Sequence, residues 1–279
     1  MLEYTVSMTI KISVITCTYN SEKFLEKCLK SVENQKYKNI EHIFNDGYSS
    51  DRTVEIIKKY IERNKDKYPI KFMQSAPRGV ANALNVALKL AEGDVVHYLH
   101  SDDYYESRNS LSRVVQLFEE NPQKKWITGN LIVEFKGRRI KLPFTHILKL
   151  NPKYVILSLN WVQHDNTFVY RELYEKYGGF QESNKVTVEY RLWLRIMKDY
   201  EPLIVDDTFT VFIIHKGSTS TGSPLSLTRG IIECYKTLGT EKILPLIKEQ
   251  KNRRVYKVTM RAYKKMLNFK EFIKKIEFE

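Results

Sequence analysis

Residues 94–103 read Asp-Val-Val-His-Tyr-Leu-His-Ser-Asp-Asp. The apolar part of this stretch has the composition of a buried β-strand, and it ends abruptly in two adjacent acids. Neighbouring carboxylates repel each other, so they are best tolerated where a divalent cation or several amide donors balance their charge. Oxygen ligands of this kind suit Mg2+ or Mn2+. The alternative is a solvated turn in which Asp103 or Ser107 opens the following helix.

The residues before this stretch alternate between strand and helix patterns. Three β-rich runs are predicted strands, with residues 94–99 as the fourth: Ile10–Cys17, Ile40–Phe44 and Ile70–Met73. Apolar residues at three- and four-residue spacing predict the helices between them: Phe24 to Val32, Val54 to Ile61 and Val80 to Ala91. Gly93 is predicted to close the third helix.

This alternation predicts a parallel α/β sheet, because parallel strands need crossover connections and those are usually helical. Ligands of such sheets bind beyond the carboxyl ends of the strands. The polar segments 18–20, 45–47 and 101–103 all follow predicted strands, so they are expected to line one crevice. The chain contains neither a GxGxxG motif nor a P-loop, which argues against a dinucleotide site or a P-loop phosphate site.

Several motifs, taken in order, resemble the family 2 glycosyltransferases of GT-A fold. The likeness covers about residues 10–220. Its motifs are Ile15–Asn20, Asn45–Thr53, Arg78–Gly79 with Ala83–Asn85, Ala91–Asp94, Ser101–Asp103, His164–Phe168, Gly178–Phe180 and Glu189–Arg195. The resemblance implies a mostly parallel, Rossmann-like sheet flanked by helices. It also implies a nucleotide-sugar-binding half at about 10–103 and an acceptor-binding half at about 104–222.

The resemblance also implies a donor site. Asp46 would meet the base of a nucleotide sugar and Thr18 would line the same pocket. Arg78 stands where relatives often carry an acid, so it would either contact phosphate or remain a surface charge. The full set implied to bind the nucleotide sugar is Thr18, Asn20, Asp46, Arg78, Asn85 and Asp102.

A Mn2+ or Mg2+ cofactor follows from the same resemblance. Asp103 is the expected main ligand, while Asp102 would contact the ribose or a metal-bound water. His215, after a predicted strand, would complete the metal site or contact diphosphate, although a histidine at a strand end is often structural. Glu189 is the expected general base, where relatives usually present Asp. Asp165 is the substitute candidate.

Composition agrees with a globular enzyme. The 279 residues are 42% hydrophobic, and no stretch approaches the ~20 uninterrupted apolar residues of a membrane span. No signal-peptide pattern opens the chain. The three cysteines are odd in number and lack metal-site spacing, which fits a reducing cytoplasm.

The formal net charge of +13 is concentrated at one end of the chain. Residues 242–279 carry twelve Lys and Arg against four Glu, a net charge of +8. Their apolar residues recur at helical spacing, so residues 223–279 are expected to form a basic helical extension. Its apolar stripe could lie on an anionic membrane or pack on the catalytic domain. Nucleic-acid binding has no recognised motif to support it.

Together these features indicate a metal-dependent transferase. It would move a sugar, with inversion, from a nucleotide diphosphate sugar (UDP-type by default) to a hydroxyl of a glycan or lipid-linked acceptor. One alternative is a sugar-phosphate nucleotidyltransferase, but such enzymes carry a glycine-rich basic loop where this chain has Thr18 to Ser21. The other is a degenerate, non-catalytic carbohydrate-binding protein, against which Asp102, Asp103 and Glu189 argue.

Overall fold

The computed structural model describes residues 10–143, 145–149, 162–182 and 188–215. Strands and helices alternate through the first hundred residues in the predicted order. The strands are β1 (Ile12–Thr18), β2 (Ile40–Asp46), β3 (Ile70–Gln74), β4 (Val95–Tyr98), β5 (Tyr104–Tyr105), β6 (Trp126–Thr128), β7 (Leu131–Phe135), β8 (Arg138–Leu142), β9 (Thr167–Tyr170), β10 (Leu203–Ile204) and β11 (Thr210–Ile213). The α-helices are α1 (Glu22–Glu33), α2 (Thr53–Asn64), α3 (Val80–Leu88), α4 (Ser110–Glu120), α5 (Thr145–Leu148), α6 (Arg171–Tyr177) and α7 (Val188–Ile196), and His164–Asn166 form a short 3-10 helix.

The main sheet has seven strands in the order β10-β6-β9-β4-β1-β2-β3. The pairs β4-β1, β1-β2, β2-β3 and β10-β6 are parallel, whereas β9 runs antiparallel to both of its neighbours. The chain leaves β1 toward β2 and β3 and later returns to place β4 on the other side of β1. The strand order therefore reverses at β1 and β4, which is where open α/β sheets form a ligand crevice.

Both faces of this sheet are covered, which explains why the strands are apolar runs rather than alternating ones. Ile15 of β1 packs on one face with residues of α3, α6 and α7. Val14, its neighbour, points to the opposite face and packs with residues of α1, α2 and α4. The period of two along a strand thus feeds two separate cores.

A second, smaller sheet brings a distant part of the chain to the acidic pair. Its order is β5-β11-β7-β8, and β5 follows directly after Asp103. β11 pairs antiparallel with β5, with Val211 opposite Tyr104. The end of β11 therefore lies beside residues 102–103, although more than a hundred residues separate them in sequence.

Gly93 was predicted to close the third helix, and the structure gives it another role. The helix ends at Leu88. A Cβ on Gly93 would lie 2.6 Å from Oγ of Ser13, 2.7 Å from its N and 2.8 Å from the carbonyl oxygen of Lys11. Glycine is needed here because the backbone before β4 passes directly against β1.

A buried carboxylate holds the opposite end of the sheet together. Glu41, fully buried in β2, accepts hydrogen bonds from Ser13 Oγ (2.6 Å) and from the N–H groups of Glu92 and Gly93. Its Oε2 lies 3.0 Å from Nζ of Lys71. Burial alone would raise the pKa of Glu41, but the hydrogen bonds from Ser13, Glu92 and Lys71 and the charge of Lys11 together lower it.

Glu41→Ala is expected to lower the free energy of unfolding by about 3 kcal/mol, because the donors around it lose a buried, charged acceptor. The carboxylate has a lower pKa in the folded state than in the unfolded one. Its contribution is thus present above its ordinary pKa and lost as the pH falls through the folded value. Urea unfolding at pH 7 and pH 4 measures both effects. Glu62→Ala, an exposed change on α2, is the control, and equal stability of the two variants would contradict the assignment.

None of the helices in the described ranges is long and apolar enough to cross a membrane. The expected basic extension at 223–279 lies outside the described residues, as do residues 216–222.

Candidate active site

Three loops meet where β1, β2 and β4 end. The N–H of Gly47 donates to the carbonyl oxygen of Thr18 (2.8 Å), which joins the loop after β2 to the end of β1. The hydroxyls of Ser21 and Ser101 are hydrogen-bonded at 2.9 Å, which joins the loop after β1 to the acidic stretch after β4. The three polar segments predicted to share a crevice therefore do lie together.

Asp46 organises the floor of this crevice. One carboxylate oxygen accepts from the hydroxyls of Thr18 (2.8 Å) and Ser49 (2.5 Å), and the other accepts from Ser49 N–H and Gln74 Nε2, both at 2.9 Å. Burial would raise the pKa of Asp46, but the hydrogen bonds from Ser49, Gln74 and Thr18 together lower it. Contact between Asp46 and a base stays a prediction, because in this structure the chain itself occupies both oxygens.

Asn20 links two loops at the mouth of the crevice. Its N–H donates to Oγ of Ser49 (2.9 Å) and its Oδ1 accepts from the N–H of Ser50 (2.9 Å). Asn20 has a φ of 49°, a left-handed conformation that asparagine tolerates better than most residues.

Two tyrosines at this mouth were not among the predicted site residues. Tyr19 is 60% exposed and Tyr48 is 61% exposed, and Tyr48 has a φ of 60°. A bulky residue in the left-handed region is strained, and such strain is often retained at binding sites. The sequence did carry a signal for both residues. Each is an aromatic side chain in the polar segment that follows a strand, where no core packing requires an aromatic ring.

Asp102 and His215 form the ionic part of the site. Nε2 of His215 donates to Oδ2 of Asp102 at 2.9 Å. Phe24 of α1 stacks on the imidazole ring with 4.3 Å between ring centroids, which orients it. Both side chains are partly exposed, at 27% for Asp102 and 21% for His215. The pairing of the two small-sheet strands thus places a histidine against the acid that follows β4.

Asp103 has different surroundings from Asp102. It is buried, and its Oδ1 accepts from the N–H of Ile213 (2.9 Å). Burial, followed by the nearby carboxylates of Asp165 and Asp102, raises the pKa of Asp103 well above its ordinary value. Burial likewise raises the pKa of Asp165, whose Oδ1 lies 3.2 Å from Nε2 of His100. Burial and the mutual repulsion of these neighbouring carboxyl groups thus disfavour the charged form of both.

The donor atoms around Asp102 fit a divalent cation. A carboxylate oxygen and an imidazole nitrogen are both ligands of Mn2+. Within the described parts of the chain, no group of three or more His, Cys, Asp or Glu side chains could hold a metal. A cation at this place would therefore depend on phosphate oxygens from a ligand, which is how Mg2+ and similar ions usually bind beside one or two carboxylates.

Glu189 lies in the first turn of α7 and is partly exposed. Trp193, one helical turn later, is buried with its ring 5.9 Å from that of His164. His164 directly precedes Asp165, so α7 packs against the segment that supports the acidic stretch. The position of Glu189 at the crevice stays a prediction.

Of the remaining predicted residues, Arg78 precedes α3 and Asn85 lies within it. Arg78 is exposed in the loop before the helix, and its phosphate contact stays a prediction. Contact between Asn85 and a nucleotide sugar stays a prediction, because in this structure the amide is bound to the backbone of Phe180. Its Nδ2 donates to the carbonyl oxygen of Phe180 (2.7 Å) and its Oδ1 accepts from the N–H of Phe180 (2.8 Å).

Comparison with known proteins points to one family. Residues 13–178 match the family model described as glycosyl transferase family 2. The chain is 30% identical over 217 residues to the Escherichia coli UDP-Glc:alpha-D-GlcNAc-diphosphoundecaprenol beta-1,3-glucosyltransferase WfaP, covering 75% of this chain and 79% of that protein. It is 39% identical over 130 residues to the Staphylococcus aureus poly(ribitol-phosphate) beta-N-acetylglucosaminyltransferase TarS, covering 46% of this chain and 21% of TarS.

Solved structures share the fold. Residues 1–349 of S. aureus TarS in complex with UDP-GlcNAc superpose with a TM-score of 0.66 at 22% identity, covering 83% of this chain and 66% of that one. The Pyrobaculum calidifontis mannosyltransferase PcManGT in complex with GDP-Man and Mn2+ gives 0.64 at 19% identity, covering 92% and 70%. The predicted GT-A fold is thereby confirmed. The chain spans 52% of a Haemophilus influenzae relative and only 21% of TarS.

Proposed function

Because the chain belongs to glycosyl transferase family 2, we propose that it transfers a sugar from a nucleotide diphosphate sugar to a hydroxyl group of a glycan or a lipid-linked glycan. A UDP-sugar is the proposed donor, since the relatives WfaP and TarS include one that uses UDP-Glc and one whose structure holds UDP-GlcNAc. The observation that carries the proposal is the Asp102–His215 pair at the crevice where the strand order reverses.

The donor is proposed to lie across the ends of β1, β2 and β4. Its base would stack on the exposed ring of Tyr19, beside Thr18 and the loop that Asp46 holds. Base–aromatic stacking contributes about 1–3 kcal/mol and needs an exposed ring of this kind. The diphosphate would then extend toward Asp102, with Arg78 at the edge of the crevice.

Asp102 and His215 are proposed to hold a divalent cation together with the diphosphate. The charge of the cation would offset the negative charge that develops on the leaving group. Asp102 replaces Asp103 as the main ligand in this proposal. Asp103 is buried, and one of its oxygens already accepts from the backbone of β11. Its part is to hold β11, and with it His215, beside the acidic stretch.

Glu189 is proposed to act as general base. Its carboxylate would take the proton of the acceptor hydroxyl while the acceptor oxygen forms a bond to the anomeric carbon. The bond from that carbon to the diphosphate oxygen breaks, and the nucleotide diphosphate leaves with the electron pair. A single displacement of this kind inverts the anomeric centre. Asp165 is less suited to the role, because its carboxyl is buried against Asp103 and His100.

A donor screen tests the proposed function. Purified protein with Mn2+ and a panel of nucleotide sugars should release nucleotide diphosphate from a UDP-sugar, faster when a glycan acceptor is added. Formation of pyrophosphate from a nucleoside triphosphate and a sugar phosphate would instead identify a nucleotidyltransferase. Glycan binding by folded protein, with no turnover of any donor, would identify a non-catalytic binding protein.

The basic segment 242–279 is proposed to contact anionic membranes, where lipid-linked acceptors are found. Each basic residue near an anionic surface contributes about 1 kcal/mol, and the attraction weakens with salt. Full-length protein is expected to float with anionic liposomes at low salt and less at high salt, and truncation after Lys251 should abolish flotation. Flotation of the truncated protein, or none by the full chain, would contradict this proposal. A large fall in melting temperature on truncation would favour packing on the domain.

A further inference from the structure

The side chain of Asn85 is hydrogen-bonded to the backbone of Phe180, which lies ninety-five residues later in the chain. Its amide makes a two-way hydrogen bond with Phe180: Nδ2 donates to the carbonyl oxygen at 2.7 Å and Oδ1 accepts from the N–H at 2.8 Å. The amide thus satisfies both backbone groups of one residue, as a neighbouring strand would. Phe180 is itself held in the core, since its ring is buried against the rings of Tyr98 and His164.

The residue before Phe180 must be glycine for these two hydrogen bonds to form. A Cβ on Gly179 would lie 2.3 Å from Oδ1 and 3.3 Å from Cγ of Asn85. Any side chain at this position would therefore push the amide away from Phe180. The close approach, and not backbone conformation, explains the second glycine of the pair Gly178-Gly179.

Side chains of α7 bind segment 179–181 from its other side. Nη2 of Arg195 donates to the carbonyl oxygen of Gly179 (2.7 Å), and Nη1 of Arg191 donates to Oε1 of Gln181 (2.5 Å). Both arginines lie on the helix whose first turn carries Glu189. Segment 179–181 therefore connects α3 to α7 through hydrogen bonds on both sides.

We propose that Asn85 is a positioning residue for Glu189. The inference rests on the proposed function, in which Glu189 takes the acceptor proton. By fixing segment 179–181, Asn85 fixes the helix that presents the base to the crevice. Its own helix, α3, starts beside the donor side of the crevice, because Pro77 lies next to Gly47 in the loop after β2. A displacement of about 1 Å at a reacting group can cost a hundredfold in rate, so such a connection has kinetic consequences.

Asn85→Ala is expected to lower kcat for transfer about tenfold to thirtyfold while the Kd for UDP changes less than about threefold. Asn82→Ala is the matched control. Asn82 lies on the same helix one turn earlier and donates to the exposed side chain of Glu182 (3.1 Å), so its removal should leave kcat near the unmutated value. Thermal melting shows whether each variant is folded. If Asn85→Ala does not fold, Asn85→Asp replaces it, because a carboxylate keeps the bond from Phe180 N–H and repels the Phe180 carbonyl.

A double-mutant cycle with Glu189→Gln separates positioning from a general structural role. If Asn85 acts through Glu189, the Asn85 change should lower kcat little further once Glu189 is glutamine. Additive losses would overturn the proposal, as would a loss of UDP affinity that accounts for the whole effect. If Glu189→Gln alone leaves kcat unchanged, Glu189 is not the base and this inference fails with that assignment. If the unmutated protein transfers no sugar, the proposed function itself is rejected.

Discussion

Replacing Asp102 with asparagine is expected to lower sugar transfer about a thousandfold and to remove the Mn2+ dependence of UDP binding. The carboxylate lies at the crevice, partly exposed and 2.9 Å from Nε2 of His215. An amide at this position keeps the shape but loses the negative charge that a divalent cation requires. Calorimetric titration with UDP, with and without Mn2+, measures the binding effect, and a coupled assay of released UDP measures the rate.

Asp103→Asn is the matched control, because it changes the adjacent residue by the same atoms. Asparagine keeps an oxygen to accept from Ile213 N–H and brings no charge into this buried position. This variant should therefore retain Mn2+-dependent UDP binding. The opposite pattern, with Mn2+ dependence lost in Asp103→Asn and kept in Asp102→Asn, would restore Asp103 as the metal ligand. Equal UDP affinity with and without Mn2+ in the unmutated protein would reject both assignments.

Glu189→Gln is expected to lower kcat about a hundredfold while the affinity for UDP stays nearly unchanged. The loss follows because the amide cannot accept the acceptor proton, and proton transfer matters only in the transition state. The kcat of Glu189→Asp should lie between those of the unmutated protein and Glu189→Gln, since the shorter side chain keeps the carboxylate but withdraws it from the acceptor. Steady-state kinetics at saturating donor, with UDP affinity measured by calorimetry, check this expectation.

Asp165→Asn tests the rival base. Its carboxyl is buried against Asp103 and His100, so the amide should have little effect on kcat beyond any loss of stability. Normal turnover in Glu189→Gln together with a large loss in Asp165→Asn would transfer the role to Asp165. A second explanation of Glu189 is that its charge only stabilises the start of α7, which amounts to less than about 1 kcal/mol and would appear in thermal melting without a change in kcat.

The fold was predictable because its signals are local. Apolar runs of strand length, separated by apolar spacing of helical period, predicted the strands β1 to β4 and the helices between them. Alternation of the two element types predicted parallel pairing, and right-handed crossovers left few possible arrangements. The same local reading failed at Gly93, where the need for glycine comes from Ser13, eighty residues earlier in the chain.

By itself the sequence determined that polar residues follow β1, β2 and β4, because strand ends and polar turns are set by neighbouring residues. Only the tertiary structure decided which of these side chains are available to a ligand. Pairing of β11 with β5 places His215 on Asp102, whereas Asp103 is buried and accepts from the backbone of Ile213. The amide of Asn85 is hydrogen-bonded to the backbone of Phe180, ninety-five residues later in the chain. Such roles depend on contacts between residues about a hundred positions apart, and local propensity carries no information about them.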